Sequence, residues 1–289
     1  MPENRRGGER RMYPTRLILL LVLTASLVLP LSGRAFADEA EPELEILFFQ
    51  AGKADAILLR TQNAVVLIDC GLKGFGQTIL SELRAHGIEK IDVLILTHFD
   101  KDHVGGAAKV INNMEVESVL QSNYPKNSEE YEKYLKALRK AGIEPVTVRD
   151  GFEFMLDGVQ FSVDPPAQEQ YRDDPSNNSS LIVTVRHGEN TFLLTGDAET
   201  ERLQEFLRTD VPACTVLKLP HHGDWDPLLG YLLRATEPKH IVVTCEGETP
   251  EDLRTLGVLN ASGCRVWVTG HAPVRIRSDG AAVEVSYEE

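Results

Sequence analysis

The stretch Leu94-Ile-Leu-Thr97-His98-Phe-Asp100-Lys-Asp102-His103-Val-Gly105-Gly106 sets two imidazoles and two carboxylates in one short run. Mixed nitrogen and oxygen donors suit Zn²⁺, Mn²⁺ or Fe²⁺ better than Ca²⁺. Asp102 could instead cap a following helix, but two His and two Asp exceed what a single cap uses. Three more segments carry matching groups. Leu193-Leu-Thr195-Gly196-Asp197 offers a carboxylate, Lys218-Leu-Pro-His221-His222-Gly223 offers two imidazoles, and Ile68-Asp69-Cys70-Gly71 offers a carboxylate suited to orienting a ligand from behind. The chemistry of such a set is metal-assisted hydrolysis.

Each of these groups follows an apolar, β-branched run that reads as a strand. Leu44–Phe49, Ala56–Arg60, Ala64–Ile68 and Ile91–Thr97 are predicted strands, and Thr78–His86 is a predicted helix. A helix is also predicted over Ser128–Ala141, where Tyr131, Tyr134, Leu135 and Leu138 share a face, Ser128 caps the start and Gly142 follows the end. Strands at Val146–Val148, Val159–Val163, Leu181–Arg186 and Thr191–Thr195 precede a second mixed group. That group has helices at Thr200–Arg208, Leu228–Ala235 and Pro250–Asn260, and strands at Val216–Leu219, Ile241–Cys245, Arg265–Val268 and Val274–Ile276. Hairpins and crossovers together argue for an α/β fold of layered sheets covered by helices. Strand ends in such folds converge on one edge, where the candidate ligands can meet. The irregular segment from Asp164 to Ser180, rich in Pro, Asp, Asn and Ser, reads as a functional loop.

Composition bounds the partners. The 289 residues are 42% hydrophobic, enough for a full core, and carry a net charge of −14. Arg5, Arg6, Arg10, Arg11 and Arg16 precede the apolar run Leu17–Leu31 and the Ala35-Phe-Ala37 site, the order of a secretory signal. Residues 1–37 are therefore expected to be a signal peptide or an uncleaved anchor, 38–43 a linker and 44–289 one hydrolase domain, working outside the cytoplasm. Membrane contact is expected only through that first segment. Removing its six Arg and two Glu takes the net charge from −14 to −18. Such a charge repels polyanions, so a nucleic acid partner is disfavoured, though not removed, against a smaller phosphodiester. Cys70, Cys214, Cys245 and Cys264 lack C-x-x-C spacing and sit in or beside apolar runs, as buried thiols do.

The motifs in order resemble the metallo-β-lactamase superfamily, in particular the branch containing the extracytoplasmic hydrolase domain of ComEC-type DNA-uptake proteins. Gly52-Lys-Ala-Asp55-Ala resembles that branch's G-Q-G-D-A, Ile68-Asp69-Cys-Gly71 its I-D-T-G, and His98 to Gly106 its H-x-D-x-D-H-x-G-G. Asn177-Asn178-Ser-Ser180-Leu resembles its N-N-x-S-L, Thr195-Gly-Asp197 its T-G-D, and His221-His222-Gly223 its H-H-G. The resemblance implies a four-layer αββα sandwich with a metal site at the sheet edges. It also implies that His98 and Asp100 hold one ion, Asp102 and His103 a second, with Asp197 bridging and either His221 or His222 completing the set. Asp102 would orient or deprotonate the attacking water, while Asp69, Asn178 and Lys218 would support the site or face substrate. Asp100 stands where much of the superfamily has His, and Asn178 lies near another usual His. Those departures favour a harder site, Mn²⁺ as well as Zn²⁺, and leave one ion or two open. Asp224 replaces the Ser after H-H-G, and the late G-H-P motif is missing, with His271 a candidate stand-in.

The expected function is an exported metal-dependent hydrolase, a phosphodiesterase acting on nucleic acid or a cell-wall phosphodiester. Hydrolysis of an amide, lactone or β-lactam is a second reading. A metal-binding accessory module without turnover, linked to DNA uptake, is a third.

Overall fold

A computed structural model describes residues 43–288. The expected signal segment, and the linker apart from Glu43, lie outside the described residues.

Apolar alternation builds the first half. β1 (Leu44–Phe48), β2 (Ile57–Arg60) and β3 (Val65–Ile68) form an antiparallel meander. α1 (Gly76–Ala85), β4 (Lys90–Leu96), α2 (Lys101–Val104), α3 (Ala107–Ile111), β5 (Glu115–Gln121), α4 (Glu129–Ala141) and β6 (Val146–Thr147) follow, with β3, β4, β5 and β6 paired in parallel. Ser128 caps α4 by accepting from Tyr131 N at 3.2 Å, and Gly142 ends it in the left-handed conformation.

The second half repeats the plan. β7 (Phe152–Leu156), β8 (Val159–Asp164), β9 (Ile182–His187) and β10 (Asn190–Leu194) are antiparallel. α5 (Thr200–Phe206), β11 (Val216–Lys218), α6 (Leu229–Thr236), β12 (His240–Val243), α7 (Leu253–Ser262) and β13 (Arg265–Val268) extend the sheet in parallel. β14 (Val274–Ser278) and β15 (Val283–Tyr287) return to the first sheet beside β1. The orders are β15-β14-β1-β2-β3-β4-β5-β6 and β13-β12-β11-β10-β9-β8-β7.

Period-2 side-chain direction then sorts residues into three apolar layers. Ile46, Phe48, Ile57 and Ile95 of one sheet meet Phe161, Val183 and Phe192 of the other. Leu47, Leu58, Leu67 and Leu94 face α1, α3 and α4, while Leu193, Leu217 and Ile241 face α5 and α6. These layers make the four-layer αββα sandwich that the family resemblance implies. β5, β7 and β15, with the short helices α2 and α3, go unread in the sequence. Glu115, Glu117, Glu153 and Glu284 alternate with apolar residues there, and charged positions dilute the signal of strands lying at or near a sheet edge. All four cysteines are free, and burial pushes the Cys214 thiol up to about 12. Among the described residues no helix is long and apolar enough to cross a membrane.

Two backbone hydrogen bonds fix the motif that follows β4. The Cys70 amide donates to the His103 carbonyl at 2.7 Å, and the Gly106 amide donates to the Gly71 carbonyl at 3.1 Å, tying α2 against the end of β3. A Cβ on Gly106 would lie 2.2 Å from the Cys70 carbonyl oxygen. Gly106→Ala is therefore expected to destabilise by about 1–3 kcal/mol or more, because backbone blocks the added methyl. A urea unfolding midpoint unchanged from wild type would refute this close packing.

Candidate metal centre

The ends of parallel strands from both sheets deliver the site. Asp69 follows β3, His98 follows β4, Asp197 follows β10, His221 and His222 follow β11, and Thr244 follows β12. Side chains at the C-terminal ends of strands are what layered α/β folds bring together. The backbone is left-handed at Asp69 (φ 56°), His221 (φ 45°) and His222 (φ 53°). Such non-glycine conformations each cost about 1–3 kcal/mol and persist only where surrounding contacts impose them.

Asp102, His103, Asp197 and His222 each offer one ligand atom, and these atoms all lie within 4.8 Å of one another. Asp197 Oδ2 is 3.0 Å from His103 Nε2 and 3.1 Å from His222 Nε2, and Asp102 Oδ2 is 3.5 Å from His222 Nε2. These are close charge contacts without hydrogen-bond alignment. The Nε2 atoms of His98, His103 and His222 are buried with no hydrogen-bond partner. Buried imidazole nitrogens are normally satisfied, so the His103 and His222 atoms converging beside the Asp102 and Asp197 carboxylates fit a divalent cation.

The rings are aimed from behind. His103 Nδ1 sits 2.8 Å from Asp69 Oδ2, and Asp69 also accepts from Thr97 N at 2.9 Å and Thr97 Oγ1 at 2.6 Å. His222 Nδ1 sits 2.9 Å from Thr244 Oγ1, whose own proton goes to Asp55 Oδ1 at 2.6 Å. That hydroxyl can then only accept from His222, which leaves the Nε2 lone pair turned into the cluster. The same reasoning holds for His98. Thr97 Oγ1 spends its proton on Asp69, so it accepts from His98 Nδ1 at 3.2 Å.

Electrostatics keeps the carboxylates charged. Burial works to raise the Asp197 carboxyl, yet the His103 and His222 imidazoles and the Lys218 ammonium hold it well below the usual range. Burial likewise opposes ionisation of Asp102, and the neighbouring His222 and His103 imidazoles overcome it. For His103, burial favours the neutral ring, but Asp197 and Asp69 raise it well above the ordinary histidine value. His222 is raised too, burial again being outweighed by Asp197 and Asp55. His98 goes the other way, pushed down to about 4 by burial and by His103.

The remaining predicted residues take other places. Asp100 lies outside the four-residue cluster, its carboxylate held by Lys126 and Ser176. Asn178 faces away, accepting from Arg202 N at 2.9 Å and donating to Asp173 O at 2.6 Å. Of the histidine pair, His222 enters the cluster, whereas His221 stands at the rim with Nδ1 2.9 Å from Glu199 Oε1. Lys218 is fully buried, 2.6 Å from Asp55 Oδ2 and donating to Gly196 O at 2.8 Å, and so faces no solvent-borne phosphate. Lys53 pairs with Asp224 at 2.7 Å. His271 packs on Tyr287, away from the cluster. The Asp164–Ser180 segment does approach the site: Ser176 reaches Asp100, and Asn177 Nδ2 lies 3.2 Å from His221 Nε2.

Sequence reading missed Thr244 and Lys126 and gave Asp55 no role. Asp55 had a signal, an acid embedded in the run Ala54–Leu59 where an exposed charge has no reason to be. Lys126, in a polar turn before α4, had none.

An αββα sandwich with imidazoles and carboxylates gathered at the sheet edges defines a metallohydrolase-type fold. The chain belongs to the metallo-β-lactamase superfamily, whose family profile matches residues 50–245. That superfamily fold binds divalent metals. Competence protein ComA of Neisseria gonorrhoeae is 30% identical over 241 residues, covering 78% of this chain and 32% of that protein. ComE operon protein 3 of Bacillus subtilis is 31% identical over 172 residues, covering 58% and 22%. These relatives are ComEC-type competence proteins, so the resemblance read in the sequence holds; the matched stretch spans only a third or less of their length. Among solved structures, the metallo-beta-lactamase fold protein YhfI from Bacillus subtilis superposes with TM-score 0.56 at 11% identity, over 85% of this chain and all of that one. CmlA, a diiron beta-hydroxylase from Streptomyces venezuelae, superposes at 0.52 and 16%, over 78% and 53%. At those identities the likeness concerns the fold.

Metal binding must displace the protons that Asp197, Asp69 and Asp55 hold on His103 and His222. The raised values mean that those protons persist above the ordinary histidine range, so affinity for Zn²⁺ or Mn²⁺ should rise from pH 6 to pH 8 with release of protons. Calorimetry in buffers of different ionisation enthalpy measures this, and affinity flat with pH would count against His103 and His222 as ligands.

Proposed function

We infer that the chain is an exported metal-dependent hydrolase of phosphodiesters. The observation that carries hydrolysis is the convergence of the unpartnered His103 and His222 Nε2 atoms with the Asp102 and Asp197 carboxylates. Asp102, His103, Asp197 and His222 would hold Zn²⁺ or Mn²⁺. A divalent ion held there supplies Lewis acidity, which makes water nucleophilic near neutral pH and offsets charge on phosphoryl oxygens.

The chain's own groups divide the remaining work. Asp102, partly exposed and kept ionised, accepts a hydrogen bond from water and orients it. Its lowered pKa makes it a poor proton store, so orientation rather than proton uptake is its role. His221 is the group that retains a proton at the rim: burial alone would lower it, but Glu199 and the Asp197 charge raise it. It is suited to protonating a departing alkoxide.

The anionic substrate is favoured by how the charge is distributed. Lys73, Lys109, Lys133, Lys136 and Lys140 line a groove of about 620 Å³ along α3 and α4, and Gly105, two residues beyond His103, lines it too. Lys133, Lys136 and Lys140 share one face of α4. Glu129 pairs with Lys73 and Lys133, yet with Lys109, Lys136 and Lys140 a chain of net charge −14 keeps a local cationic track, which supports a phosphodiester polymer, nucleic acid included, despite the overall repulsion. The competence relatives and the secretory-type N-terminal sequence support the exported setting.

With Mn²⁺ or Zn²⁺ supplied, residues 38–289 should hydrolyse bis-p-nitrophenyl phosphate, and His103→Ala should lose at least about 100-fold in kcat/KM. Bound metal without turnover on this ester or on single-stranded DNA would instead favour the accessory-module reading, and nitrocefin cleavage would favour an acyl substrate. Replacing Lys133, Lys136 and Lys140 by Ala should weaken binding of a single-stranded oligonucleotide and reduce the log–log salt slope by about 0.7 for each phosphate that is no longer neutralised. A slope equal to that of wild type would remove the groove from the substrate path.

A further inference from the structure

The two halves of the His98–His103 motif end in different surroundings. Asp102 and His103 turn into the four-residue cluster. Asp100 instead meets the Lys126 ammonium and the Ser176 hydroxyl, and Lys126 Nζ donates in turn to Ser176 Oγ at 3.0 Å. Lys126 comes from the turn between β5 and α4, and Ser176 from the irregular segment before β9, so three parts of the chain close around one carboxylate.

The other donors expected beside His98 are also occupied. The Asn178 side chain is used at both ends, by Arg202 N of α5 and by the Asp173 carbonyl of its own loop. What remains is the lone Nε2 of His98, on a ring whose centroid is 4.1 Å from that of His103. A second divalent ion at this end would find one imidazole and a shared Asp197. Its remaining carboxylate is already neutralised by an ammonium, and that ammonium would repel it.

We propose that Lys126 is the second cation of this centre: the chain takes one divalent ion, in the Asp102, His103, Asp197 and His222 cluster, and the Lys126 ammonium holds Asp100, the carboxylate that a second ion beside His98 would otherwise use. The inference rests on the metal-centre reading above and adds to it the number of ions and the residue that sets it. A lysine serves here because a compact ammonium places one positive charge on a carboxylate without demanding further ligands. A divalent ion would need three or four donors in a defined geometry, and this end of the site does not have them to spare.

The test counts ions. Metal-free protein is loaded with excess Mn²⁺, passed through a desalting column and analysed for manganese against protein, and its EPR spectrum is recorded. Wild type should hold about one Mn²⁺ per chain, with the six-line signal of an isolated ion. Lys126→Met, which removes the ammonium from a partly exposed position, should rise towards about two with an exchange-coupled spectrum, and Lys126→Arg, which keeps the charge, should stay near one. Two ions in wild type overturn the proposal and leave the metal centre standing. Lys126→Met remaining at one ion overturns the role of Lys126. No bound ion in wild type overturns the centre itself, and this inference with it.

Discussion

Asp197 is a carboxylate with almost no exposure, seated where the ends of both sheets meet, and the surrounding structure serves to make that charge tolerable. An isolated buried carboxylate would protonate. It stays ionised because His103 and His222 stand about 3 Å away and Lys218 lies 3.4 Å from its other oxygen. Each of those groups needs its own counter-charge: Asp69 behind His103, Asp55 behind Lys218 and, through Thr244, behind His222. The outcome is a closed set of buried acids and bases in which removing one member leaves another uncompensated, at a cost of about 3–5 kcal/mol. A network under that constraint fixes ring orientation, and fixed rings are what a metal site requires.

The sandwich exists to bring these groups together from distant parts of the chain. Asp55 and Thr244 are 189 residues apart and are joined by one hydrogen bond. Only a fold in which two sheets stack with their parallel strand ends on a common edge can join them, and the apolar layers between and outside the sheets hold that edge in register. Left-handed backbone at Asp69, His221 and His222 shows where packing overrides local preference. At the His pair this has a direct result: successive left-handed residues separate the two side chains, one entering the cluster and one remaining at the rim.

Charge is organised on two scales. The chain as a whole is acidic, which discourages indiscriminate binding of polyanions. Locally, cations are placed where they act: Lys218 within the buried network, Lys126 on Asp100, and the lysines of the α3–α4 groove on the outer surface. A net charge averages over these positions and so says little about any one of them.

The class of chemistry and most of the framework are written in the order of the residues. His98, Asp102, His103, Asp197 and the His221–His222 pair are legible because metal-ligand residue types at short spacing after apolar runs rarely serve packing alone. Layered sheets covered by helices follow from strands and helices whose apolar periods are strong, and the αββα sandwich is what the family resemblance carried by the motif order implies. Which candidates share a point in space was settled by folding. Backbone handedness separated His222 from His221, packing turned Asn178 towards Arg202, and the sheets buried Lys218, which a local reading would leave in solvent. Folding also placed Lys126 on Asp100, a pairing between a turn and a motif that no spacing encodes. The physical reason is common to all four: ligand type and periodicity are local properties of the chain, whereas burial and counter-charge depend on which distant segments the packed sheets bring into contact.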